Sequence, residues 1–411
     1  MSALGSLTID ELEAELRSFL DGRVPLKDRS RGGWGEGDDS VMDIGTYRGE
    51  SEAAEIAVAR QWQAALFDAG LAWIEGPTEL GGRGLSPDHA NRARQVLAEY
   101  QCPNTTCFMV AHHIVGPTIL AHGTSEQKAR WCPGIWRGEI LCSQLFSEPN
   151  AGSDLASLRT RAVRDGDDWV ITGQKVWSSG AHYSQIGEIL VRTGSEASRH
   201  RGITALIVDL SAPGVTIRPL RQMNGGEHFS EIFLDAVRVP DGNRLGAIDG
   251  GWSVGLNTLG NERSLLSQED NGIVRDPVGR LIEMARHFHR NDDPTVREQL
   301  ADVWIREQLL FMTGVRAETE PAATAPPASV IKLVMTDNLQ RYIDLAGRIL
   351  GPRMIADDGE WGTYSWSQML LGAPAQRIAG GTDEIQKNIL AERYLGLPRE
   401  PRPGLTKESS R

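Results

Sequence analysis

TRAVRDGDDWVITGQKVW, residues 160–177, sets two runs rich in β-branched and aromatic side chains, Thr160 to Arg164 and Trp169 to Trp177, on either side of Asp165-Gly166. An Asp-Gly pair supplies the positive-φ positions of a tight hairpin turn, so the spacing predicts paired antiparallel strands. Runs of the same kind recur downstream at Glu188 to Arg192, Ile203 to Leu210, Val215 to Leu220 and Ile232 to Val239, each bounded by turn residues. The stretch from about Ile140 to Val239 therefore reads as a compact antiparallel β region.

On both sides the period changes to that of helices. Thr8 with Glu11 and Thr124 with Gln127 have capping-box spacing, Ser86-Pro87 is a third start signal, and Gly70 stops the segment from Ala53 to Ala69. After Gly250-Gly251, Trp252, Leu256 and Leu259 are spaced to share one helix face. The Pro- and Ala-rich stretch Glu320 to Ala328 reads as a loop between helices. The expectation is an α+β multidomain protein: a helical domain over 1–138, a middle β domain over 139–249 and a second helical domain over 250–411. This order excludes a doubly wound parallel sheet.

With 411 residues, 40% apolar and 24% charged, the chain is long enough for more than one core and has the composition of an ordinary globular protein. A formal charge of -12 argues against a nucleic-acid partner, which would need concentrated Lys and Arg. Four cysteines without CxxC spacing suggest free thiols, a cytoplasmic setting and no metal site. MSALGSLTIDELEAELRSFL carries acids through its apolar positions, so it reads as a helix rather than a signal peptide, and no apolar run is long enough to span a membrane.

Two motifs carry chemistry. LFSEPNAGSDLASL, residues 145–158, packs small and polar residues into a turn whose amides and hydroxyls can face an anion; taken alone, an ordinary strand-to-strand turn accounts for it equally well. ITGQKVWSSGA, residues 171–181, follows at a fixed interval, and the pair resembles the acyl-CoA dehydrogenase family. Further matching stretches are AHGTSEQKARWCPGIWRGE at 121–139, GVTIRPL at 214–220, FLDAVRVP at 233–240 and GGTDEIQKNILAERYLGLP at 380–398. The resemblance implies that family's fold: an N-terminal α-helical domain, a middle antiparallel β-barrel-like domain and a C-terminal four-helix-bundle domain. It implies FAD as cofactor, with Phe146, Ser147, Gly152, Ser153, Trp177, Ser179, Gly381, Thr382 and Glu384 contacting it. A flavin needs an aromatic wall and fixed donors near its reactive edge, which Trp177 and Ser179 would provide. Asn150 stands where the family usually has its first glycine, and Ser179 where it has threonine.

The implied reaction is α,β-desaturation of an acyl-CoA substrate, with electron-transfer flavoprotein as acceptor. Its base is often a glutamate directly before a Gly-Thr pair, but here Gly380 precedes Gly381-Thr382. The Gly380 amide can still donate to a thioester oxygen. A subset of the family carries the glutamate on a C-terminal-domain helix just before an arginine, and LGNERSLL supplies Glu262 as base and Arg263 as its positioning and substrate-contacting partner. The plain structural reading of such a pair is a solvated surface ion pair. Asp383 and Glu384 read as acids favouring a helix N-terminus.

The family's cross-subunit FAD half-site is not plain in ARHFHRNDDPTVRE (285–298) or DLAGRILGPRM (344–354). The resemblance thus implies either a homo-tetramer or an α2β2 assembly with a paralogous subunit. Alternative readings are a flavin monooxygenase or oxidase on the same fold, or a non-catalytic partner subunit.

Overall fold

The computed structural model describes residues 7–27, 34–36, 39, 41, 49–266, 276–320 and 328–399. Contacts divide the chain into two compact units, Met1–Gly32 with Gly45–Glu262, and Gly33–Ile44 with Arg263–Arg411.

The first unit opens with helices α1 (Ile9–Asp21), α2 (Gly49–Asp68), α3 (Pro87–Ala98), α4 (Gly116–His122) and α5 (Ser125–Arg137). Both limbs of the Thr8/Glu11 and Thr124/Gln127 capping boxes form, so the first-turn amides that lack helical partners are satisfied locally. At Ser86 the helix starts as expected, but the hydroxyl pairs with His89 Nδ1 at 2.7 Å instead of capping an amide. Leu12, Leu16 and Leu20 recur every fourth residue and bury one face of α1 in a core with Trp62, Leu66 and Val96.

The sheet contains β1 (Cys142–Leu145), β2 (Arg161–Asp165), β3 (Asp168–Ser179), β4 (Ile186–Arg192), β5 (Ile203–Asp209), β6 (Val215–Leu220), β7 (Phe229–Pro240) and β8 (Arg244–Leu245). Their order is β6-β7-β3-β2-β4-β5-β8, with β1 beside β4. The β2–β3 hairpin forms as expected, but its turn falls one residue later than an Asp165-Gly166 loop: Asp165 pairs with Asp168, leaving Gly166, at φ 62°, and Asp167 as the turn residues. Pairing is largely antiparallel, but β1 and β2 each meet β4 in parallel, a departure from a purely antiparallel sheet. The long excursion through the 146–158 loop and the β2–β3 hairpin gives the chain the crossover that parallel pairing requires. Every residue of β4 is buried.

Helix α6 (Gly251–Leu266) follows, its residues up to Glu262 belonging to this unit. Here the sequence misjudged the face. Val254, Gly255 and Thr258 are buried, whereas Leu256, from the expected apolar stripe, is exposed. A Cβ at Gly251 would lie 2.4 Å from the Ala205 nitrogen, and one at Gly255 2.9 Å from Leu190 Cδ1. The glycines let α6 lie directly on β4 and β5, and this close approach, not apolar spacing, sets its rotation.

The second unit contains α7 (Pro277–His287), α8 (Pro294–Thr319), α9 (Ala328–Leu350), α10 (Tyr364–Ile378) and α11 (Asp383–Ile389). Leu281, Met284, Val296, Val303, Leu339, Ile343, Trp366 and Met369 form its core. Trp34 and Val41, far upstream, join this core, with Trp34 stacked on His287 at 4.9 Å and Asp39 accepting the Gly362 amide at 2.9 Å. Of the predicted 320–328 loop, residues 321–327 lie outside the described residues. Among the described residues no helix is long and apolar enough to cross a membrane, and no cluster of His, Cys, Asp or Glu could hold a metal.

Candidate functional site

In the first unit the two motifs are laced together. The Val176 amide donates to the Ser147 carbonyl at 3.0 Å, and the Ser143 hydroxyl donates to the Ser179 carbonyl at 2.9 Å. Beneath them, the fully buried Lys175 ammonium donates to the Phe146 carbonyl at 3.0 Å and to Glu148 at 2.9 Å. Glu148 also accepts the amides of Arg159 and Thr160, at 2.7 and 2.8 Å. Burial pushes the Glu148 carboxyl up, but the Lys175 charge and these hydrogen bonds more than offset it and hold it below the usual range. The Lys175 ammonium is lowered to about 8 by burial, against the pull of Glu148. Arg192 Nη2 donates to the Ala156 carbonyl at 2.6 Å, so the far end of the 145–158 loop is also tied down.

This frame presents Trp177. The indole is 61% exposed, and its backbone sits at φ 61° where β3 bulges against β7 between Lys175 and Ser178. A bulky residue at positive φ is a genuine outlier, and a bulge re-aims the side chain it carries. Phe229 meets the indole edge-on at 6.0 Å. Half-buried Ser147 and Ser179 flank this position, while Gly152 and Ser153 lie exposed on the turn of the first motif. Phe146 differs from the other predicted contacts because its side chain is buried in the core.

In the second unit Gly380 and Gly381 both adopt left-handed backbone, at φ 65° and 92°. A side chain at such a position costs about 1–2 kcal/mol, a local reason for glycine where a glutamate is more usual. Gln386 Nε2 donates to the Gly380 carbonyl at 2.7 Å, and the Ser329 hydroxyl holds Gln386 from behind at 2.6 Å. Thr382 caps α11 by accepting the Ile385 amide at 3.3 Å. Asp383 is buried and accepts from Lys332 Nζ at 2.9 Å and Arg377 Nε at 2.7 Å, so it is an anchor of the turn. Glu384 is exposed in the first turn of α11, its carboxyl lowered by backbone hydrogen bonding.

Glu262 and Arg263 are half-buried at consecutive positions of α6. Neighbouring helix positions point about 100° apart, so adjacency in sequence does not make them face one another. Sequence reasoning missed Glu188, which it placed only at the start of a strand. Glu188 is wholly buried, one oxygen hydrogen-bonded to the Thr258 hydroxyl of α6 at 2.7 Å and the other without a partner among the described residues. A lone acid inside Ile-Gly-Glu-Ile-Leu-Val was the available signal.

Helical regions on either side of a sheet that bears an exposed, strained tryptophan define a familiar class, and the chain belongs to the acyl-CoA dehydrogenase family. It matches that family's N-terminal domain over residues 44–139, its middle domain over 143–237 and its C-terminal domain over 249–395. Acyl-CoA dehydrogenase IpdE1 of Mycobacterium tuberculosis is 38% identical over 88% of this chain and 93% of its own length. IpdE1 of Mycolicibacterium smegmatis is 34% identical over 96% and 99%. Among solved structures, the Tcur3481-Tcur3483 steroid ACAD superposes with a TM-score of 0.72 at 28% identity, covering 97% of this chain and 100% of that one. The ChsE4-ChsE5 complex of Mycobacterium tuberculosis gives 0.72 at 29% identity, with the same coverage. The chain is thus an oxidoreductase of the acyl-CoA dehydrogenase kind.

Proposed function

We propose that this enzyme is an FAD-dependent desaturase of a bulky, steroid-type acyl-CoA thioester, working in the cytoplasm in an α2β2 assembly with a paralogous subunit. The observation that carries the cofactor is Trp177: an exposed indole on a strained bulge, flanked by the half-buried serines Ser147 and Ser179, is what one face of a flavin needs. Bound FAD supplies the acceptor for the hydride that leaves the substrate β-carbon. Trp177 would wall one face of the ring, Ser179 and Ser147 would hydrogen-bond it, and the exposed turn at Gly152 and Ser153 would offer hydroxyl and amide donors to its phosphates. Gly381, Thr382 and Glu384 would make the remaining contacts that the family resemblance implies.

Glu262 takes the α-proton, Arg263 orients it and the substrate, and the Gly380 amide donates to the thioester oxygen as charge develops there. Electron-transfer flavoprotein is the proposed acceptor for the reduced enzyme. The bulky substrate is supported by the similarity to the steroid ACAD. A partner subunit is supported by the similarity to a two-protein complex and by α8, where Trp304, Ile305, Leu309, Phe311 and Met312 are each at least half exposed, an apolar surface rarely left to water.

The decisive experiment is an anaerobic titration of FAD-loaded enzyme with steroid-type and straight-chain acyl-CoAs, followed at the flavin absorbance. Steroid thioesters should bleach the flavin, and Glu262→Gln should retain flavin but lose bleaching. Rapid bleaching of that variant would overturn the base assignment, and oxygen consumption without enoyl product would favour an oxidase. Full FAD occupancy in a homo-tetramer of this chain alone would count against the α2β2 assembly.

A further inference from the structure

The strand β4 reads Ile-Gly-Glu-Ile-Leu-Val-Arg, and the position best suited to another aliphatic side chain holds Glu188, opposite Gln144 of β1 and Ile207 of β5. Burying a carboxyl without full partnering is costly, so the residue does something an aliphatic cannot. Its neighbours on the helical side form a polar seam. Thr258 Oγ1 of α6 lies 2.7 Å from Glu188 Oε1, 3.1 Å from the Thr118 hydroxyl of α4 and 3.1 Å from its own helix carbonyl at Val254. Thr118 donates to the Ile114 carbonyl at 2.9 Å, and Asn261 of α6 donates to Thr118 at 3.2 Å and to the same carbonyl at 3.3 Å.

We propose that Glu188 is a positioning residue: through Thr258, its buried carboxyl fixes the turn of α6 that carries Glu262. The proposal rests on the reading of Glu262 as the base. Thr258 and Glu262 are four residues apart and so lie on one helix face a turn apart, while Asn261 directly precedes Glu262. Glycines at 251 and 255 bring α6 close to the sheet, and the directional bond between Thr258 and Glu188 holds the next turn at that rotation.

The protonated acid satisfies the seam best. It donates to Thr258, freeing the threonine hydrogen for Val254, and leaves a neutral carbonyl oxygen, not a charge, without a partner. Burial pushes the carboxyl up to about 8, and the single hydrogen bond from Thr258 opposes this too weakly. Facing it from β1 is the buried Cys142 thiol, raised well above its usual range; from α6 and α4 the facing groups are Thr258, Thr118 and Asn261, none of which titrates.

The test compares Glu188→Gln, Glu188→Leu and Thr258→Val in the FAD-loaded enzyme with its partner subunit. It uses hydrogen exchange of the α6 amides and the pH profile of flavin reduction by a steroid-type acyl-CoA. Glu188→Leu fills the volume but not the seam: α6 exchange should rise and reduction should slow by about 10- to 100-fold, with flavin content and KM unchanged. Thr258→Val removes the bond from the helix side and should reproduce this if the leucine variant folds poorly. Glu188→Gln keeps a neutral donor, so it should restore the rate at pH 7 and lose the wild-type fall in rate above about pH 8. Unchanged α6 protection in both Glu188→Leu and Thr258→Val would overturn the clamp. Full reduction by Glu262→Gln would instead overturn the base assignment, whatever α6 exchange shows.

Discussion

The two turns assigned to the cofactor and substrate are backed by the same device and differ in how it is closed. Behind the first motif Lys175 meets Glu148 at 2.9 Å; behind the Gly380-Gly381-Thr382 turn Lys332 meets Asp383, also at 2.9 Å. Both lysines are buried. Glu148 spends its remaining capacity on two backbone amides and so fixes the course of a loop, whereas Asp383 spends it on Thr336 and on Arg377, whose side chain is half exposed. The first device is sealed and shapes backbone; the second is open on one side and joins helices. A sealed pair is costly to break, because removing one partner leaves an uncompensated charge. An open one can recruit water or a neighbour.

The largest expected effect follows from that difference. Lys175→Met should destabilise the first unit by about 3–5 kcal/mol in urea unfolding. Adding Glu148→Gln should recover most of the loss, because the pair then leaves together. A single-variant cost near zero would show that the lace between the motifs does not depend on the ion pair.

Glu188 sharpens the contrast as a buried acid with no paired cation among the described residues. Its folded-state pKa is raised from 4.5 to about 8, so protonation-linked stability is fully present below pH 4.5 and is lost as pH rises towards 8. At its steepest the loss should be about 1.4 kcal/mol per pH unit. Stability curves of Glu188→Gln and wild type, matched at pH 4.5, should diverge in favour of the variant as pH rises; parallel curves would mean the acid is already ionised in the fold.

Asp383→Asn should cost less, about 2 kcal/mol, because Lys332 keeps the Arg377 carbonyl and Arg377 keeps water. An equal or greater loss than Lys175→Met would erase the distinction between sealed and open pairs. Smallest is Gly380→Ala, expected to cost about 1 kcal/mol in thermal unfolding through its left-handed backbone alone.

Much of this was legible in the sequence where the cause is local. Asp165-Gly166 located the β2–β3 hairpin to within one residue, two capping boxes fixed helix starts, and Thr382 capped α11 just where Asp383 and Glu384 suggested a helix N-terminus. The short β1 and two-residue β8 escaped notice, because neither run is long enough to show a period. The buried face of α6 was misjudged for a different reason: it is chosen by two glycines and a threonine, which carry no apolar signal. Trp34, a single aromatic among turn residues, gave no hint that it packs with His287 and Trp361, more than 200 positions away.

By itself, the sequence determined the order of helix, strand and helix and the family, since these depend on composition, periodicity and motifs read over a few residues. Only the tertiary structure decided that Trp177 faces outward, that Gly380 is held left-handed, and that an acid within β4 lies beneath the helix bearing Glu262. Each of these depends on what distant segments place around a residue: burial, which sets whether a carboxyl keeps its charge, and the bulge or turn that strains a backbone into presenting one side chain rather than another.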